Sequence, residues 1–112
     1  MGRRPEKIGN EMMHIMGGII RENYLPDYPD VLVTVTSVKV TEDLKEARIL
    51  CSFYSEDEAR REELFQRMRR DVRKIRAGIA AGLVIKFMPR ITILKDESQE
   101  YAEKINRLLR EI

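Results

Sequence analysis

The stretch from Val31 to Tyr54 constrains the fold of this chain more than any other. Its first part, "VLVTVTSVKV", is rich in β-branched residues, with Val31, Val33 and Val35 alternating with Leu32, Thr34 and Thr36. This predicts a strand over 31–40. A second strand is predicted over 46–54, where Ala47, Ile49, Cys51 and Phe53 share one face. The short "TEDLK" between them makes the pair an antiparallel hairpin. Such a ribbon has an apolar face that other elements must cover.

The remaining segments supply helices. Pro5 suits a first helical position, and Ile8, Met12, Ile15, Met16 and Ile19 form one apolar stripe to about Tyr24. Gly9, Gly17 and Gly18 weaken that helix and allow another element to come close. "LPDYPD" then reads as a turn-rich linker. Ser55 with Glu58 matches a capping box and opens a second helix, whose stripe is Leu64, Met68, Val72, Ile75 and Ile79. That helix either continues or breaks and restarts before Gly82. "GIAAG" at 78–82 predicts close packing of a helix end against the sheet, with a terminus at the glycines. A third strand is expected from Val84 to Leu94, with Ile85, Phe87, Ile91 and Ile93 on one side and Pro89 at an edge or bulge. A last helix is expected over 98–111, with Tyr101, Ile105, Leu108 and Leu109 inward. The order is α-β-β-α(-α)-β-α, an α+β layer with helices covering one face of a three-stranded sheet.

At 112 residues the chain fits a single domain over 1–112. Its one cysteine, Cys51, allows no intramolecular disulfide, which suits a cytoplasmic protein. No apolar run approaches membrane-spanning length, and the start lacks the pattern of a signal peptide or a myristoylation site. His14, the only histidine, falls beside the apolar stripe and reads as a boundary residue. Cys51 reads as a small buried hydrophobe. One histidine and one cysteine make no metal site, and no phosphate-loop, dinucleotide or nucleophile-elbow motif occurs. The residues imply no enzyme, no cofactor, no metal and no small-molecule substrate.

Charge is where function shows. The net charge is +2, yet residues 67–95 hold nine cations against one acid, Asp71, so this segment carries +8 and the rest −6. Arg67, Arg69, Arg70, Arg73, Lys74 and Arg76 surround the exposed side of one predicted helix. Two readings compete. The cations form a solvated face, placed late in a helix where the macrodipole favours them; or they form a phosphate-binding stripe. The acids that would pair with them at i,i+4 are mostly missing, since Glu62 and Glu63 lie at the N-terminal end. That favours the stripe. No aromatic residue lies among these six helix cations, so they form no stacking platform of the RNA-recognition-motif kind and recognition of backbone shape is expected over sequence.

The chain resembles ribosome-binding factor A nearly end to end. The resemblance lies in "RRPEKIGNEMMHIM", in the phrasing VTxTxVxVxxDLxxA within "VTVTSVKVTEDLKEARILCSF", and in Ile75-Arg76 followed thirteen residues later by the proline of "FMPRITILKD". An amphipathic final segment completes it. The resemblance implies a KH-like fold of the second type. It implies a non-enzymatic assembly factor that binds the free small (30S) ribosomal subunit, assists late 16S rRNA maturation and supports growth in the cold. The rRNA contact would be the stripe of Arg67, Arg69, Arg70, Arg73, Lys74 and Arg76, extended by Arg3, Arg4 and Lys7. The protein is expected to act as a monomer. The alternative is a basic module that binds an acidic protein. Two departures stand out. KH domains carry a GxxG loop, absent here, and the family's Ala-x-Gly kink is replaced by Asp71-Val72-Arg73. The helix is therefore expected to run through that point or to bend later, near Gly78. The family's longer C-terminal tail has no counterpart in this sequence.

Overall fold

A computed structural model describes residues 4–112. The elements are α1 (Pro5–Asn23), β1 (Leu32–Val40), β2 (Glu46–Tyr54), α2 (Glu58–Arg70), α3 (Val72–Ala81), β3 (Arg90–Lys95) and α4 (Ser98–Arg110). The sheet order is β1-β2-β3, with β1 antiparallel to β2 and β2 parallel to β3. The parallel pair requires a long crossover, and α2 with α3 provides it.

The hairpin forms as its alternation demands. Ala47, Ile49, Cys51 and Phe53 all point into the core. A register shift between Val35 and Ser37 lets Val38 and Val40 continue the inward face. Leu44 takes φ 59° in the connecting turn, and its half-buried side chain packs on the core to offset that conformation. Ile8, Met12, Met16 and Ile20 of α1 meet Leu64, Met68, Ile75 and Ile79 of α2 and α3 over this face. Burial pushes the Cys51 thiol up to about 12, as befits a packing residue rather than a nucleophile.

The glycines of α1 are not equivalent. A Cβ at Gly9 would lie 2.8 Å from the Val38 carbonyl oxygen, so α1 needs this glycine to rest on β1. At Gly17 a Cβ meets only the flexible end of Arg21, at 3.4 Å. In urea melts, Gly9→Ala is expected to lower the unfolding free energy by about 1–3 kcal/mol, as overpacking does. Gly17→Ala should raise it by about 0.5–1 kcal/mol through helix propensity. Equal effects at the two sites would contradict this close approach.

Four local expectations are corrected. The cap of α2 is Asp57, whose carboxylate accepts from the N–H groups of Ala59 and Arg60 at 2.9 and 3.3 Å; Ser55 Oγ instead accepts from the Asp57 N–H. Gly78 and Gly82 pack against Ile19 and Ile15 of α1 rather than against the sheet. The third strand begins only at Arg90. Residues 83–89 form an irregular connection in which Phe87 is 75% exposed, not inward. Pro89 is fully buried just before the strand, and its carbonyl and that of Met88 accept from the Arg76 guanidinium at 2.9 and 2.6 Å. With those carbonyls taken and no N–H on Pro89, a ladder cannot start earlier.

The fourth correction concerns α4. Tyr101, Ile105, Leu108 and Leu109 are exposed, Tyr101 at 68%. The covered face of the sheet is already filled by α1, α2 and α3, leaving no core for a fourth helix. Its start is tied down. The Asp96 N–H donates to the Cys51 carbonyl at 2.8 Å, the Asp96 carboxylate accepts from the Ser98 N–H and hydroxyl, and Glu100 pairs with Arg61 at 3.1 Å.

Candidate nucleic-acid interface

The basic segment is built around a break. α2 ends at Arg70, Asp71 takes φ −88° and ψ 12°, and α3 restarts at Val72. This is the point where the sequence shows Asp71-Val72-Arg73, so the bend occurs here and not near Gly78, without alanine or glycine. Asp71 holds it from its side chain. The Tyr24 hydroxyl, at the end of α1, donates to Asp71 Oδ2 at 2.8 Å. Burial first, and then this bond, raise the Tyr24 pKa well above its ordinary value, so the hydroxyl stays a donor.

The break changes the meaning of the cations beside it. In one continuous helix Arg73 and Lys74 would sit late, where the dipole is negative. Here they occupy the first turn of α3, which has no acidic residue and no side-chain cap. Cations are disfavoured there, by about 0.3–1 kcal/mol each. Arg73 and Lys74 thus join uncapped backbone N–H groups at one positive point, the usual setting for an anion. Arg70 lies across the bend. All three side chains are exposed and make no ion pair or side-chain hydrogen bond with any described residue.

The other expected contacts differ. Arg67 pairs with Asp27 at 2.9 Å and lies 5.2 and 5.6 Å from the ring centroids of Tyr24 and Tyr28. Arg76 holds the Met88 and Pro89 carbonyls. Arg69 is exposed, 5.7 Å from the Phe65 ring centroid, near the Glu62–Lys95 pair. The hydrogen bonds from Gln66 and Lys95 hold the Glu62 carboxyl below its usual range. Arg4 and Lys7 are exposed at the start of α1. Because Ile15 meets Gly82 and Ile19 meets Gly78, α1 and α3 run antiparallel. Lys7 is therefore separated from the Tyr24–Asp71 end by the length of α1, roughly 25 Å at 1.5 Å per residue. Arg3 lies outside the described residues.

Sequence reasoning missed Arg60. Its guanidinium makes a bidentate pair with Asp30 at 3.1 and 3.0 Å, reaches the Asp27 carbonyl at 3.0 Å and Glu63 at 2.7 Å, and covers the Tyr28 ring at 4.3 Å. "LPDYPD" is thereby a docked segment, with its Tyr28 and the following Val31 in the core. The signal was the pairing of its two aspartates with Arg60 and Arg67, seven residues apart on one helix face.

The chemistry-bearing residues stay apart. His14 is exposed beside an open groove lined by Lys7, Asn10, Ile15, Gly82 and Val84. Among the described residues no group of His, Cys, Asp or Glu is placed to hold a metal ion, and no helix is long and apolar enough to cross a membrane.

Comparison with known proteins agrees with this architecture. The chain is 31% identical over 112 residues to ribosome-binding factor A of Geobacter metallireducens, covering all of this chain and 93% of the relative. It is 33% identical over 107 residues to that of Moorella thermoacetica, covering 95% and 87%. The crystal structure of ribosome-binding factor A from Thermus thermophilus superposes with a TM-score of 0.66 at 17% identity, covering 83% of this chain and 97% of that one. A Thermus thermophilus homology model of the factor, fitted into a cryo-EM map of its complex with the 30S subunit, superposes at 0.52 and 19% identity, covering 77% and 96%. These likenesses carry the KH-like fold. The family model for ribosome-binding factor A matches residues 4–109, which take in the hairpin, the bent helix pair and the third strand alike, and the chain belongs to that family.

Proposed function

We propose that this protein is a non-enzymatic factor that binds the free small ribosomal subunit through 16S rRNA phosphates laid across the α2–α3 bend. One observation carries the reading. Arg70, Arg73 and Lys74 are exposed and pair with no described residue, and two of them stand at a helix N-terminus, where the macrodipole disfavours a cation. A phosphate there gains two side-chain charges and a helix start without a side-chain cap at once. Arg69 flanks this centre. Arg67 and Arg76 shape it from behind through their protein partners, and Arg4 and Lys7 meet a separate stretch of backbone. The complex of the Thermus thermophilus factor with the 30S subunit supports the partner. The role within this reading is late 16S rRNA maturation in the cytoplasm, with greatest demand in the cold, by a monomer.

Co-sedimentation with free small subunits, mature ribosomes and naked rRNA fragments, across a range of salt, tests it. Association with free small subunits alone is expected. Its log–log salt slope should correspond to at least three phosphate contacts, at roughly 0.7–0.9 per contact. Salt-insensitive binding that survives nuclease would mark an acidic protein as the partner instead.

A further inference from the structure

We propose that Phe87 is a stacking platform for an unpaired RNA base, set at the end of the cation line that α2 and α3 form. The inference rests on the phosphate-binding reading above and adds a contact of a different chemical kind.

Phe87 is 75% exposed in a chain with only three phenylalanines and no tryptophan, and the other two, Phe53 and Phe65, are buried. Its neighbours are cations. Lys86 Nζ lies 5.5 Å from the ring centroid, Arg90 follows two residues on from Met88 and is exposed, and Arg76 bonds the carbonyls of Met88 and Pro89. Arg73 precedes Arg76 by one turn of α3, about 5 Å. The line Arg70, Arg73, Arg76 therefore leads to this ring.

The ring also stands on a fixed base. Arg76 clamps the two carbonyls that follow it, Pro89 is fully buried, and the Arg90 N–H donates to the Lys45 carbonyl at 2.8 Å. On the other side Leu83 and Ile85 pack on the core. An aromatic face held in this way loses little freedom on binding. Cations beside an exposed aromatic ring fit a nucleotide, since the charges take the phosphates and the ring takes the base. Stacking of this type tolerates any base, so it adds affinity for single-stranded or bulged RNA without sequence preference.

The chain has no tryptophan, so Phe87→Trp creates a single fluorescent reporter at the site. Its emission is expected to be quenched by a single-stranded RNA oligomer and by free small subunits, and to be unchanged by a fully paired RNA duplex. Phe87→Ala and Phe87→Leu are both expected to weaken co-sedimentation with free small subunits by about 5- to 150-fold, the range for one stacked base, with the salt slope and the unfolding midpoint unchanged. Phe87→Ala binding within about twofold of the unmodified protein would overturn the proposal. Full affinity of Phe87→Leu would also overturn it, marking an apolar contact with protein. Failure of the phosphate reading looks different: charge reversal of Arg70, Arg73 and Lys74 would then leave both affinity and salt slope intact.

Discussion

Reversing the charge of Arg70, Arg73 and Lys74 together is expected to abolish small-subunit binding without unfolding the protein. Each side chain offers one charge-assisted contact, worth about 1.5–3 kcal/mol. Three lost contacts correspond to at least on the order of 10³-fold in affinity, and reversal adds repulsion from the phosphates. The log–log salt slope should fall by about two to three. Stability should not fall, because the three pair with no described residue, and acids in place of Arg73 and Lys74 at the start of α3 gain about 0.3–1 kcal/mol each, which offsets the reversal of Arg70 at the end of α2. Arg67 and Arg76 provide the contrast. Alanine at either removes partners that the fold uses, namely Asp27 with the tyrosine rings, or the Met88 and Pro89 carbonyls. Their variants should lose thermal stability as well as binding. Binding of the folded triple variant at the normal level would remove the rRNA reading.

That contrast shows how far the sequence could be read. Nine cations against one acid are visible by inspection, but their partners are distant in the chain. Asp27 is 40 residues from Arg67, and Pro89 is 13 from Arg76. Local i,i+4 reasoning sees neither, so six cations of the helix pair look alike until the fold separates them. The hairpin was legible because a period of two with β-branched residues admits one register of burial. The stripes of α1, α2 and α3 were legible for the same reason at a period of 3.6. The start of β3 was not. "LVIKFMPR" alternates like a strand, yet Arg76 has taken the carbonyls that a ladder would need. The position of α4 was not legible either. An amphipathic stripe reports that a helix has an apolar face, not that a core remains to receive it.

The bend at Asp71 yields the sharper test, because two physical accounts predict opposite signs. Asp71 is the single acid in the basic segment, so Asp71→Ala raises the segment's net charge by one. Electrostatics alone predicts tighter rRNA binding. The structure predicts weaker binding. Asp71 accepts the Tyr24 hydroxyl at 2.8 Å and occupies the break between α2 and α3. Alanine removes that tether and is the best helix former, so α2 can continue into α3. The N–H groups at the start of α3 would then be satisfied within the helix, and the positive helix terminus beside Arg73 and Lys74 would be lost. A loss of about 1–2 kcal/mol in stability is expected from the missing hydrogen bond and the stranded Tyr24 hydroxyl, together with about tenfold weaker subunit binding. Asp71→Asn separates charge from geometry, since its amide oxygen still accepts from Tyr24. It should bind at least as tightly as the unmodified protein. Tyr24→Phe should follow Asp71→Ala, because it removes the same bond from the other side. The order asparagine, then aspartate, then alanine in affinity would establish that the bend presents the cations. Alanine binding as tightly as asparagine would mean that charge alone is enough and that the bend serves only the packing of α1 against α3.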